Sequence, residues 1–239
     1  MGFEPAVSLT EQIAEHLGHQ IITGQLQPAQ RIQELKVATD LGVSRGTVRE
    51  ALLILESRHL IEIVPRRGAV VSRLEAAEIS NFSELYTSLL ESCFCKLAAQ
   101  ESAHLEHSGA LVGMADALAE ITLAVEQGDT QSLLAGQREF VEAGLAALDN
   151  YYLSSVLRGL IPAGLRLGYL VACHEDFDPR DTLRYHQALF AAIKQGDEVR
   201  VGQMVGAFGR REGRLANGSL AQQDANAVSM RLSQPSRVD

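Results

Sequence analysis

The sequence predicts a mainly α-helical chain in two parts, a small N-terminal module of helices closed by a β-hairpin and a larger all-α bundle. Three observations predict it. Apolar residues recur at three- and four-residue steps over most of the 239 residues, whereas short extended runs with a turn between them occur just before residue 74. Helix start and stop signals separate these periodic stretches. Charge is also divided: residues 31–73 hold eight basic and five acidic side chains, while 75–239 hold 13 and 22 in a chain of net charge −9. A hydrophobic content of 46% suffices for packed cores and excludes wholesale disorder.

In the N-terminal module, Ser8 and Glu11 have the spacing of a capping box, and Leu9, Ile13, Leu17 and Ile21 form one apolar stripe. Gly24 and Pro28 end that helix. Val37, Ala38 and Leu41 make one face of a short second helix that stops at Gly42. Ser44 is placed to cap a third helix, whose Val48, Ala51, Leu52 and Leu55 point inward. Arg45, Gly46, Thr47, Arg49 and Glu50 remain on its outer face. A short helix, a glycine turn and a capped helix make up a helix-turn-helix. Ile61–Val64 and Ala69–Val71, joined by Pro65-Arg66-Arg67-Gly68, then read as a hairpin wing with two guanidinium groups at its tip.

This arrangement suits duplex DNA. Arg45 and Arg49 lie one helical turn apart, and arginine can pair with guanine O6 and N7 or hold a phosphate. Ser44 and Thr47 can donate to phosphates at a helix start that attracts them. Arg66 and Arg67 suit a narrow minor groove. The acidic remainder of the chain argues against a protein coated in nucleic acid, but not against one small basic face.

The run from Leu41 to Leu52 followed by Pro65-Arg66-Arg67-Gly68 resembles the winged helix-turn-helix of the GntR family of bacterial transcription regulators, over about residues 8–73. The resemblance implies operator contacts from Arg45, Thr47 and Arg49, with Gly68 at the minor groove. Arg31, Ser44, Gly46, Arg66 and Arg67 complete the expected DNA-binding set. The family often carries an arginine directly after the residue matching Glu34, where this sequence has Leu35.

Residues 75–215 form the second predicted domain, after a first spanning 1–74. Helical patterns begin at Ile79, run near 109–127 and 130–148, follow from Tyr152 with an interruption at Pro162, and end with spans near 180–195 and 198–215. The tail 216–239, rich in Ser, Gln and Asn, is expected to be poorly ordered. Gly164/Gly168 and Gly202/Gly206 have the spacing of close helix approach. This region resembles the FCD effector domain of the FadR subfamily, through Leu90-Glu91, Phe140 and His186 followed by Ile193 and Gly196-Asp197. Many such domains bind a divalent metal, and the four ligand positions fall here on Gln137, Val141, His186 and Phe208. Val141 and Phe208 cannot ligate, so no metal and no other cofactor is expected. The resemblance implies instead a more apolar effector pocket for an acyl-CoA or other organic acid. Gln137, Val141, His186, Tyr169 and Phe208 would line it, with Arg138, Arg166 and Arg184 as candidates for an anionic head group. His186 has a second reading as a core histidine bonded to a neighbour.

The function implied is a ligand-responsive regulator, expected to be a repressor, that binds an inverted-repeat DNA operator as a homodimer. A metal-dependent sensor with other ligands is the competing reading. An enzyme is a remoter one, because no nucleophile with an adjacent base or phosphate-cradling loop is apparent. Cys93, Cys95 and Cys173 are odd in number, which predicts free thiols in a reducing compartment. No apolar run approaches the roughly 20 residues of a membrane span, so none is expected. The first twelve residues lack the pattern of a secretory leader, so a cytoplasmic location is expected.

Overall fold

The computed structural model describes residues 8–100 and 109–232. Its elements are α1 (Leu9–Ile22), α2 (Glu34–Leu41), α3 (Arg45–Ser57), β1 (Ile61–Val64), β2 (Gly68–Val71), α4 (Ala76–Ala98), α5 (Ala110–Gln127), α6 (Thr130–Ala146), α7 (Tyr151–Ala172), α8 (Pro179–Lys194) and α9 (Glu198–Leu232). The described residues divide into two compact units, one comprising those up to Leu74 with Arg158–Arg166, the other comprising the remaining described residues.

In the first unit, Ile13, Leu17 and Ile21 of α1 pack with Val48, Leu52 and Leu55 of α3 and with Leu60, Ile61 and Val71 around the hairpin. Each such side chain contributes about 1.5–3 kcal/mol by leaving water. Leu9 and Leu41, read from sequence as members of apolar faces, are 53% and 38% exposed. Both sit in terminal turns, where a helix has run past the core. Ser8 Oγ accepts from the Glu11 amide at 3.1 Å, so the predicted cap forms. The Glu11 carboxylate turns instead to Arg58, which also donates to Glu15 at 3.1 Å and so fastens the end of α3 to α1.

β1 and β2 pair antiparallel in the register Ile61↔Val71 to Val64↔Gly68. Residues before α2 add a third extended piece: Arg31 bridges Val70, and the Ala29 and Ile32 amides donate to Val71 and Ala69, each at 2.9 Å. At the hairpin tip the Arg67 amide donates to the Val64 carbonyl at 3.1 Å. Pro65 supplies the fixed φ of this turn, and Arg66 occupies the following position with a φ of 65°, which favours glycine.

In the second unit, Gly128 ends α5 in the left-handed conformation and Asp129 caps α6, accepting from the Gln131 and Ser132 amides. That short connection makes α5 and α6 an antiparallel pair. α9 lies along α4 at unusually close range. A Cβ at Gly209 would come within 2.0 Å of Thr87 Oγ1, and one at Gly202 within 3.1 Å of Glu91 Oε1. The atoms nearest a Cβ at Gly206 belong to Arg210 of its own helix, so the tight contact with α4 falls at Gly202 and Gly209 rather than at the predicted 202/206 pair.

Three expectations are corrected. α9 continues through Leu232 instead of ending near 215, with Ala216 fully buried and Ser219 nearly so. Its polar composition disguised a helix anchored by a few small residues. Residues 233–239 of the expected tail, and the first seven residues of the segment read for a leader, lie outside those described. Pro162 lies inside an unbroken α7, since one missing N–H can be tolerated within a supported helix. Finally, α7 is long and apolar enough by length and composition to cross a bilayer. Its two charged residues, Arg158 and Arg166, are too few to offset the apolar character of the helix as a whole.

Candidate nucleic-acid interface

The predicted recognition surface is built by two caps in succession. Gly42 takes a φ of 67° and closes α2, an angle that costs glycine little. Two residues on, Ser44 Oγ accepts the Thr47 amide at 3.1 Å and shares a hydrogen bond with Thr47 Oγ1 at 2.8 Å. The inner face of α3 buries Val48, Ala51, Leu52 and Leu55, which turns Arg45, Gly46, Arg49 and Glu50 outward. A Cβ at Gly46 would meet Ser44 Oγ at 3.6 Å, so the position is open toward solvent.

The arginines are not loose. Glu34, in the first turn of α2, receives Arg49 through Nη2 at 2.9 Å and Nε at 3.5 Å, and Arg45 Nη2 at 3.5 Å. The hydrogen bond from Arg49 holds the Glu34 carboxyl below its ordinary pKa, and the same pairing raises that of Arg49. Both arginine side chains stay more than half exposed, at 59% and 62%. Sequence reading missed Glu34, because the contact joins positions 15 residues apart through a turn whose geometry is tertiary.

Beside this surface, the outward face of the hairpin forms a cleft of about 390 Å³ lined by Arg31, Arg67, Arg73, Glu62 and Val70. The Arg31 guanidinium lies 4.0 Å from the place a Cβ would take at Gly68. Arg66 and Arg67 are both exposed at the tip. From the sequence, Arg73 counts only toward the basic charge of this region.

The residues singled out for an effector do not all meet. His186 is fully buried, and its Nδ1 donates to the Thr182 carbonyl at 2.8 Å. Burial lowers its pKa to about 4, so the ring is neutral at pH 7. Phe140, Tyr185 and Phe208 surround it, with ring centroids 5.1, 4.9 and 6.1 Å away. Val141 is buried next to Phe140 and Gln137 is half-buried one turn earlier. Three aromatic rings beside a neutral imidazole do not fit a divalent cation, which needs converging N, O or S donors. Among the described residues no group of three or more His, Cys, Asp or Glu is placed to hold a metal.

Arg138 pairs with Glu139 at 2.6 Å and Arg184 with Asp181, both on the surface. Arg166, buried in the first unit, donates to the Ser72 carbonyl at 2.8 Å. Tyr169 is half-buried in α7. A cation the sequence reading did not select, Arg211, joins Asp181 and Glu212, each at 2.9 Å. Burial still pushes the Glu212 carboxyl up to about 7, against the opposing pull of Arg211.

A capped helix following a tight turn, with a basic hairpin beside it and a separate helical unit, defines a winged helix-turn-helix DNA-binding transcription regulator with a C-terminal helical domain. Comparison with known proteins makes the assignment specific. Residues 9–71 match the model of the bacterial regulatory proteins of the gntR family, and residues 87–208 match the FCD domain. The chain belongs to the GntR family of DNA-binding transcription regulators and carries an FCD effector domain.

Among its relatives, the HTH-type transcriptional regulator McbR of Escherichia coli is 26% identical over 193 residues, 80% of this chain and 85% of that one. The HTH-type transcriptional repressor RspR of the same organism is 33% identical over 79 residues, 33% of this chain and 35% of that protein. Two solved structures share the fold. A GntR regulator from Rhodococcus sp. RHA1 has a TM-score of 0.70 at 21% identity, covering 87% of this chain and 97% of that one. E. coli McbR/YncC has 0.69 at 23%, covering 90% and 100%.

Proposed function

We propose that this protein binds an inverted-repeat operator as a homodimer, in the bacterial cytoplasm, and that a small organic anion in the helical domain regulates its hold on DNA. Residues 1–74 serve as the DNA-binding domain and 75–215 as the effector and dimerisation domain. Arg45, Gly46, Thr47 and Arg49 face the major groove, with Ser44 and the α3 start at a phosphate. Arg31, Arg66, Arg67 and Gly68 present the wing to the minor groove and its flanking backbone. The observation that carries this reading is the exposed, capped start of α3, with two guanidinium groups on one face beside a basic hairpin.

One such unit meets only a few phosphates, and duplication by a two-fold axis raises affinity and specifies half-site spacing. A ligand that binds the DNA-competent state differently from the other shifts the population between them. The aromatic group of Phe140, Tyr185, His186 and Phe208 favours an apolar ligand body over a metal chelate. Repression relieved by that ligand is the proposed sign, and the relatives' names as transcriptional regulators support a protein without catalytic turnover.

Selection of DNA by the full chain, followed by Arg49→Ala, tests the assignment. The variant is expected to stay folded and lose specific binding by about 10-fold or more, the cost of one arginine–guanine pair. Undiminished binding of the selected sequence would refute the recognition surface. A metabolite screen for release of that DNA then identifies the ligand class.

A further inference from the structure

We propose that Glu34 is a positioning residue of the DNA-reading surface: its carboxylate holds Arg45 and Arg49 as a preset pair of forks, aimed at base edges and shielded from indiscriminate phosphate binding. The inference rests on the assignment of these two arginines to the DNA-facing side of α3.

The atoms used by the contact matter. Arg49 spends its Nε and one N–H of Nη2 on the two Glu34 oxygens. Its Nη1 and the outer N–H of Nη2 are left on the adjoining terminal edge, two parallel donors of the kind that match guanine O6 and N7. Arg45 shares Oε2 through its own Nη2. One carboxylate therefore restrains two long side chains whose rotamer freedom would otherwise be lost only on binding.

Charge adds discrimination. Two guanidinium groups beside one carboxylate present a net +1 where an unaccompanied pair would present +2. An approaching phosphate meets the repulsion of Glu34, whereas the neutral acceptors of guanine meet much less. Glu50, the acidic neighbour of Arg49 on α3, accepts from Thr10 Oγ1 at 3.3 Å and is drawn toward α1. Glu34 also sits in the first turn of α2, where the helix start favours a carboxylate. It is thus held without support from DNA. Leu35, the next residue, is 63% exposed and offers no polar group, which leaves recognition dependent on the restrained pair.

The test uses the full chain and a duplex of about 30 base pairs, long enough for two half-sites a turn apart, selected by the wild-type protein from a randomised pool. Its affinity is compared with that of a shuffled duplex between about 50 and 200 mM salt. Glu34→Gln is expected to weaken binding of the selected duplex by roughly 10-fold, strengthen binding of the shuffled one, and steepen the salt dependence by about one unit of log–log slope per protomer, about two for the dimer. Glu34→Ala should behave alike, with thermal melting and circular dichroism as checks on the fold. A ratio of the two affinities that stays within twofold in both variants overturns the proposal. So does a parallel loss on both duplexes, which marks a merely structural role. Failure of the underlying assignment is read separately: Arg49→Ala would then keep its full affinity for the selected duplex.

Discussion

The imidazole of His186 donates through Nδ1 to the carbonyl of Thr182, one turn earlier on the same helix, at 2.8 Å. That bond assigns the proton of the neutral ring and turns Nε2 into the acceptor, among Phe140, Tyr185 and Phe208. The group is a polar member of an apolar cluster, and protonating it would strand a charge there.

A pH dependence follows from this burial. The folded-state pKa of about 4 lies below the unfolded value of 6.5, so the stabilisation is complete above pH 6.5 and is lost as pH falls through 4. The loss is on the order of 3 kcal/mol across that window. Glu212 works in the opposite sense: raised from 4.5 to about 7, it contributes stability below pH 4.5 that is lost as pH rises through 7. Urea unfolding of the wild type and His186→Phe, compared at each pH, separates the two. The stability of the wild type relative to the variant should fall steadily from pH 6.5 to 4, and a pH-independent offset would contradict the neutral buried imidazole.

At the wing, Arg66 holds a left-handed φ that its side chain disfavours. Arg66→Gly should relieve that strain and leave the fold as stable or up to about 1 kcal/mol more stable. Binding to DNA should weaken, and the salt slope should fall by about two units as one cation is removed from each protomer of the dimer. Melting curves and anisotropy titrations on the same preparations measure both. A variant that loses stability would show that the side chain supports the turn.

Close packing of α9 on α4 makes a third position testable. A Cβ at Gly209 would approach three atoms of Thr87 at 2.0, 2.6 and 2.8 Å, more than one rotamer change can relieve. Gly209→Ala should cost about 1–3 kcal/mol. Gly159, whose added Cβ would meet nothing within 4 Å, provides the control: Gly159→Ala in α7 should be neutral or stabilising by up to about 1 kcal/mol. Equal melting temperatures for the two variants would contradict the close approach.

Local signals carried much of the fold. Ser8, Ser44 and Asp129 cap the helices they precede, and Gly42 and Gly128 end the helices before them, because capping is decided within a few residues. Features that needed distant partners were not readable. The strand-like piece at Ala29–Ile32 exists only by bonding to β2, and its composition does not announce a strand. The length of α9 depends on burial of small side chains such as Ala216, not on a marked apolar stripe. Glu34 acquires its two arginine partners only where the turn brings the start of α3 beside the start of α2.

Periodicity, caps and the division of charge were thus enough to establish a basic winged helix-turn-helix preceding an acidic helical bundle, since each depends on residues close together in the chain. Only the tertiary structure decided which cations are restrained, which histidine is neutral and which glycines lie in a close helix contact. Those properties arise where side chains far apart in sequence share a few ångströms, and there distance and desolvation, rather than local preference, set the energy.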